Sequence, residues 1–160
     1  MKLGFNIAAA LTATAMVVTV VGTQAIAASK EIDAAIKARQ SHMQLIAFNL
    51  GVLGGMAKGE ADYNADAASA AASNLAALSK LDQSQHWPLG SDSETLGKEK
   101  TEALAAIMAD DSKFNDRALD LVAAATAMEA AAGQGLDALQ GAIGAVGKSC
   151  GGCHKVYRVE

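Results

Sequence analysis

The chain has 160 residues, of which 51% are apolar and 4% aromatic, and its formal net charge is −4 at pH 7. This length and apolar content suit one domain around a single core. Alanine dominates and β-branched and aromatic residues are sparse, so there is little from which to build a sheet. The apolar content excludes wholesale disorder, and the lack of a basic stripe excludes a nucleic-acid binder.

Residues 1–27 have the layout of a secretory signal peptide. Lys2 supplies a positive start, residues 3–21 are almost wholly apolar, and an Ala-x-Ala cleavage pattern ends at Ala27. A membrane anchor is the alternative, since about 19 apolar residues can just span a bilayer. The cleavage pattern and the polar sequence after it favour removal of the peptide. This predicts export to the periplasm and a mature domain of residues 28–160 with a net charge of −5 and no membrane span.

The first predicted helix runs from about Glu31 to Ala57. Its inward positions alternate in spacing between four and three, which is the repeat of helices that pack nearly parallel to one another. Glycines end this helix, and a second helix is predicted from about Asp66 to Lys80. The seam of the first helix consists of Ile32, Ile36, Arg39, Met43, Ile46, Leu50 and Leu53.

The stretch 81–97 is predicted to be irregular, because it holds the single proline and a polar run. It is long enough to cross over one end of the molecule or to cover a ligand. A third helix is predicted over 98–131 and a fourth over 135–158, separated by a tight Gly-Gln-Gly break. Four helices with mostly short links predict an all-α fold, an antiparallel four-helix bundle.

Both cysteines of the chain lie in the string Cys150-Gly151-Gly152-Cys153-His154. Cys-x-x-Cys-His is the attachment signature of a c-type haem. Helix positions i and i+3 share a face with Cβ atoms about 5–6 Å apart, so the two thiols can reach two vinyl groups of one porphyrin edge. His154 lies on a similar face, from which its imidazole can bind the iron. Both cysteines are on the inward seam, so we expect the haem in the bundle core.

Three other readings of the cysteine pair have less support. A zinc site requires four ligands, and only His42 and His86 could join the pair. A thioredoxin-like pair requires a βαβ setting and a helix N-terminus that lowers the thiol pKa, whereas this pair lies near a helix C-terminus. A structural disulfide is the third alternative. Export, which c-type haem attachment requires, favours the haem.

An exported four-helix bundle that ends in Cys-x-x-Cys-His resembles the class II c-type cytochromes, the cytochrome c′ family. The resemblance covers essentially the whole mature chain. It implies one covalent haem c on Cys150 and Cys153, with His154 as the proximal iron ligand. Beyond the haem motif it rests on Arg39-Gln40-Ser41, Met43 and the closing Cys153-His154-Lys155-Val156-Tyr157-Arg158.

The resemblance also implies that Arg39 and Gln40 lie beside the haem propionates. For Arg39 the sequence agrees, because an unpaired cation in an apolar seam is costly and a propionate would give it a partner. The alternative is that Arg39 extends to solvent from the helix edge. Arg158 follows His154 by one helical turn, which suits either a position near the proximal face or a solvated helix end.

Met43 decides between two functions, since the resemblance places it over the distal face of the iron. A thioether bound to iron gives Met/His ligation, which raises the reduction potential and suits a carrier of single electrons. If the sulfur only packs against the ring, the iron is five-coordinate and high-spin, and the protein resembles the members that bind NO or CO. The neighbouring His42 points about 100° away around the helix, toward solvent or the flank of the seam.

No catalytic triad, phosphate loop or pair of carboxylates stands out in the sequence, so we do not expect an enzyme. The expected partners are redox proteins, and the small acidic excess favours a basic one through electrostatic steering. The resemblance implies a homodimer through the first two helices, with which the alanine-rich second helix is compatible. A monomer is equally compatible with that surface.

Overall fold

The computed structural model describes residues 20–160, with side chains from Ser29 onward. Residues 1–19 of the predicted signal peptide therefore lie outside the described residues, and so do the side chains around its cleavage site. None of the described helices is long and apolar enough to cross a membrane. The helices are α1 (Val20–Lys58), α2 (Ala65–Ser79), α3 (Ser93–Leu96), α4 (Phe114–Ala131) and α5 (Leu136–Tyr157), with 3-10 turns at Ser84–His86 and Ala105–Met108.

The four long helices form an antiparallel bundle in which each contacts two others, in the cyclic order α1, α2, α4, α5. His42 Nε2 on α1 lies 2.9 Å from the carbonyl oxygen of Leu78 near the end of α2, so these two helices run in opposite directions. Gln140, early in α5, donates to the carbonyl of Ala57 at the end of α1 over 2.8 Å. The predicted fold class is confirmed.

The apolar core fills the end of the bundle near the turn between α4 and α5. Tyr63 closes this end, because its hydroxyl donates to the Ala132 carbonyl and accepts from the Gly135 amide. Gly135 has φ +121°, a conformation that favours glycine. The fully buried large side chains of this core are Leu53, Leu75, Met128, Leu139 and Val146.

The third long helix, α4, begins at Phe114 and not near Lys98 as predicted. Residues 98–113 belong instead to the crossover between α2 and α4. The Leu104 amide donates to the Tyr157 carbonyl over 3.0 Å, and the Val159 amide donates to the Glu102 carbonyl over 2.8 Å. These long-range bonds satisfy backbone groups that a helix would satisfy locally, so tertiary pairing overrides helix propensity here.

The other predicted bounds are close to those of the structure. α2 and α5 each begin and end within one residue of the predicted positions, and α1 ends at Lys58. α1 begins at Val20, earlier than the predicted Glu31, because the alanine-rich sequence before Glu31 is itself favourable to helix.

Candidate functional site

A cavity of about 760 Å³ lies at the end of the bundle opposite the packed core. Its wall is built from α1, α4, α5 and the crossover between α2 and α4. Because α1 and α5 are antiparallel neighbours, the middle of α1 faces the end of α5 across this space. The structure thus brings together all six residues predicted for the site, Arg39, Gln40, Met43, Cys150, Cys153 and His154.

The two cysteines lie one turn apart on α5, half-buried at the cavity wall, and both are free thiols. Burial raises the pKa of both thiols, and the neighbouring Cys150 raises that of Cys153 further. A catalytic redox pair needs a lowered thiol pKa. The electrostatics of this pair therefore do not suit thiol–disulfide chemistry.

His154 is the third group that α5 brings to the cavity. Burial lowers the pKa of His154, and the nearby Arg158 cation lowers it further. Both effects favour the neutral imidazole, which keeps a lone pair for a metal ion. Arg158 lines the cavity while its side chain stays 52% exposed, and it forms an ion pair with Glu102 at 3.7 Å.

Arg39 is buried, with 3% of its surface exposed, so the alternative that it extends to solvent is wrong. Its guanidinium donates hydrogen bonds to three residues of the crossover, His86, Ser91 and Thr101. Nη1 donates to the His86 carbonyl over 3.0 Å and to Ser91 Oγ over 2.8 Å. Nη2 donates to the Ser91 carbonyl over 2.5 Å and to Thr101 Oγ1 over 2.8 Å.

The charge of Arg39 is not neutralised by these contacts, because all four acceptors are uncharged. Burial lowers the pKa of Arg39, and the Asp92 carboxylate partly opposes that effect. The guanidinium also lies 4.7 Å from the ring centroid of Trp87, in a cation–π contact. Arg39 therefore places a positive charge in the cavity wall while its hydrogen bonds organise the crossover.

Gln40 and Met43 line the cavity from α1, but they are more exposed than Arg39. Gln40 donates from Nε2 to the Lys100 carbonyl over 3.2 Å at the surface. Met43 is 37% exposed and adjoins an apolar stretch of wall. The aliphatic side chains of this stretch are Ile46, Ala47, Leu50, Ala118 and Leu121.

Of the two positions expected for His42, solvent is wrong, and the ring lies at the flank of the seam, between α1 and α2. His42 is 4% exposed, and its Nε2 lies 2.9 Å from the Leu78 carbonyl oxygen. α2 packs against this side of α1, so the direction about 100° from Met43 points into a helix interface. The ring of His86 is 6.0 Å away from that of His42, centroid to centroid.

Three aromatic residues form one side of the cavity. Trp87 contacts Phe114 edge-on at 4.9 Å between centroids, and Phe114 contacts Tyr157 edge-on at 5.6 Å. The sequence alone did not assign Trp87 to this site. It also missed the polar acceptors of Arg39 in the crossover, since no local pattern marks a serine or threonine as the partner of a distant arginine.

Comparison with known proteins gives consistent matches to one family. The family model described as Cytochrome C′ matches residues 34–158. Cytochrome c-554 of Cereibacter sphaeroides is 43% identical over 131 residues, covering 81% of this chain and 96% of that protein. A solved cytochrome c′ from Rhodobacter spheriodes superposes with a TM-score of 0.76 at 37% identity, covering 81% of this chain and 98% of the other. A nitric oxide complex of a mutant cytochrome c prime from Alcaligenes xylosoxidans has a TM-score of 0.67 at 32% identity, covering 81% and 97%.

Proposed function

The chain belongs to the cytochrome c′ family, and we propose that it is a periplasmic carrier of single electrons in which Met43 and His154 would hold the iron. Its cofactor is one covalently attached haem c, as in that family. We assign the thioether bonds to Cys150 and Cys153. Bound in this way, haem iron supplies a one-electron couple between the ferric and ferrous states.

The residues of the cavity fit this group. The volume of about 760 Å³ falls within the range of about 300–1,000 Å³ that is usual for ligand and cofactor sites. Two free thiols and a neutral imidazole lie within one helical turn of each other, on the cavity side of α5. Aliphatic and aromatic side chains supply the apolar surroundings that a porphyrin ring requires.

The observation that carries the proposed ligation is the position of Met43. It lines the same cavity as His154 but belongs to the facing helix. Its side chain is 37% exposed, whereas Met56 and Met128 are 3% and 0% exposed in the packed core. Met43 is therefore not packed into the apolar core, and its thioether is available to a group in the cavity. Met/His ligation raises the reduction potential, as a carrier requires.

We further propose that Arg39 and Gln40 lie beside the haem propionates. The four hydrogen bonds that Arg39 gives to the crossover leave its charge without a contacting carboxylate. Its contribution to a propionate is then mainly Coulombic attraction, which is strong at a poorly solvated site. Gln40 lies at the exposed side of the same wall, where its amide could be shared between Lys100 and a propionate.

A gas-binding haem protein is the second candidate function. The relative solved as a nitric oxide complex supports it. In this case His154 alone would hold the iron, and NO or CO would bind beside a Met43 that does not coordinate. The apolar wall next to Met43 suits a small uncharged diatomic as well as it suits a thioether.

The absorption spectrum of the purified holoprotein tests the ligation. We expect low-spin spectra in both oxidation states, unchanged by carbon monoxide, because Met43 occupies the sixth iron site. A high-spin spectrum that shifts when carbon monoxide is added would contradict the carrier and favour the gas binder. Absence of haem after expression in a host that exports and matures c-type cytochromes would contradict both.

We also propose that two copies pair through α1 and α2. Leu45 and Phe48, three residues apart on α1, are 52% and 68% exposed, which is costly for large apolar side chains on one helix face. The neighbouring helix α2 exposes small side chains, Ala67, Ala70 and Ala77, that allow close approach of another helix. The occupant that fits this face is the same face of a second copy, as in two-fold dimers.

Substitution of Phe48 by glutamate tests the dimer. We expect the dissociation constant to rise at least about tenfold, which is about 1.4 kcal/mol, because a charge is then buried in an apolar interface. Sedimentation equilibrium measures the change. Leu119→Glu is the matched control, since Leu119 is 64% exposed on α4 and lies outside the proposed interface. A monomeric wild-type protein would contradict the proposal.

A further inference from the structure

The charges that line the cavity are opposite in sign to those of the chain as a whole. The lining has five cations and two carboxylates, a local net charge of +3. The chain carries −4, so its remaining residues carry −7. The charged lining residues are Arg39, Lys98, Lys100, Arg117, Arg158, Glu99 and Glu102.

Four of these cations are exposed, and they form what we call the cationic rim: Lys98, Lys100, Arg117 and Arg158. Three separate elements contribute to it. Lys98 and Lys100 come from the crossover, Arg117 from the start of α4 and Arg158 from the end of α5. No stretch of sequence shows this cluster, because only the fold brings the three elements to one opening.

The cationic rim is free to exchange its ion-pair partners. Lys100 pairs with Asp33 at 2.9 Å, and Arg117 pairs with Asp120 at 3.3 Å. Exposed pairs of this kind contribute only about 0–1 kcal/mol, so carboxylates of another protein can replace them. The two propionates of the proposed haem would lower the charge of the lining from +3 to +1, so the lining stays positive once partner carboxylates displace Asp33 and Asp120.

We propose that the cationic rim is the docking surface for a redox protein that presents an acidic patch. This inference rests on the proposed electron-carrier function, because it takes the cavity to hold the haem and its rim to be the nearest surface. Local charge at the contact governs the docking orientation and the association rate more than distant charge does. The expected partner is therefore acidic, contrary to the basic partner that the net charge of the sequence favours.

The sign of the charge at the cationic rim is tested by oxidising the reduced holoprotein with two small complexes, one anionic and one cationic. Ferricyanide accepts one electron from the ferrous protein and becomes ferrocyanide, and tris(phenanthroline)cobalt(III) accepts one and becomes the cobalt(II) complex. We expect the stopped-flow rate with ferricyanide to fall as ionic strength rises, and the rate with the cobalt complex to rise. The opposite pair of slopes would show that the negative net charge controls access and would overturn the proposal.

Charge reversal locates the effect on the rim. Lys98→Glu with Lys100→Glu should lower the ferricyanide rate about tenfold at low ionic strength, the lower end of steering effects. The control, Lys30→Glu with Lys37→Glu, makes the same change in net charge at exposed positions on α1 outside the lining. We expect it to change the rate less than twofold. Equal effects of the two double variants would overturn the proposal.

A protein probe completes the test. Reduced flavodoxin of net negative charge gives one electron to the ferric holoprotein, and we expect this rate to fall with salt and with the rim substitutions but not with the control. A rate that is insensitive to the rim substitutions would exclude acidic docking there. Spectra of the same samples report the ligation of the iron separately, so failure of the electron-carrier function is distinguishable from failure of the docking surface.

Discussion

Replacing Met43 with alanine is expected to convert the iron from low-spin to high-spin and to lower its reduction potential. Alanine offers no atom that can bind the metal, and the adjacent His42 cannot substitute, because its ring is buried against α2. The conversion should be essentially complete, and the ferrous variant should bind carbon monoxide. Visible spectra with and without carbon monoxide, together with a redox titration, measure all three effects.

Two further variants separate loss of a ligand from a disturbed cavity. Gln44→Ala removes a neighbouring side chain that lines the same cavity, and we expect it to leave the spectrum unchanged. Met43→His should restore a low-spin spectrum but at a lower potential, because an imidazole replaces the thioether. A Met43→Ala protein with the wild-type spectrum would exclude Met43 as an iron ligand.

The bundle could be predicted from the sequence because its long helices carry local signals. The alternating spacing of four and three along α1 and α5 marks the buried side of each helix wherever the helix is placed. Cys150, Cys153 and His154 lie within five consecutive residues, so their common face follows from helix geometry alone. Arg39 and Met43 were predicted to join them through the seam of α1 and through family resemblance, and both line the cavity.

The crossover could not be predicted in the same way, because its structure depends on distant partners. The charged sequence around Lys98 to Glu102 is favourable to helix by propensity, yet the backbone of Glu102 and Leu104 pairs with Val159 and Tyr157. The Asp-Asp-Ser run before Phe114 is a helix-start signal that the periodicity of apolar residues obscured. Ser112 Oγ accepts from the Phe114 amide over 3.3 Å just before the helix, whose N-cap residue is Lys113.

The same dependence on distant partners explains why the charge at the cavity differs in sign from the net charge of the chain. The net charge of −4 is a sum over the whole chain and does not say where the charged residues lie in the fold. Residues 98–113 of the crossover, which the sequence assigned to a helix, include two of the four exposed cations at the cavity opening. The placement of Lys98 and Lys100 depends on where α4 begins, so the local charge at the cavity could not be derived from the net charge.

Arg39→Met is expected to destabilise the holoprotein by at least about 3 kcal/mol, since several buried acceptors lose their donor and each costs about 1–3 kcal/mol. That is a large share of a stability of about 5–15 kcal/mol, and it corresponds to a melting temperature lower by about 10 °C. The acceptors that lose their donor are the carbonyls of His86 and Ser91 and the hydroxyls of Ser91 and Thr101. Thermal unfolding followed by far-UV circular dichroism measures the change.

Arg117→Met is the matched control, because it removes another guanidinium from the cavity lining. Arg117 is 45% exposed and pairs with Asp120 at the surface, so we expect a loss below about 1 kcal/mol. Arg39→Lys should fall between the two variants, since an ammonium keeps the charge but lacks the planar fork. Equal stability of Arg39→Met and Arg117→Met would show that Arg39 does not hold the crossover. We also expect Arg39→Met to keep a low-spin spectrum but at a lower reduction potential, because loss of a nearby cation favours the more positive ferric state. This result would show that the charge of Arg39 affects the potential independently of iron ligation by Met43.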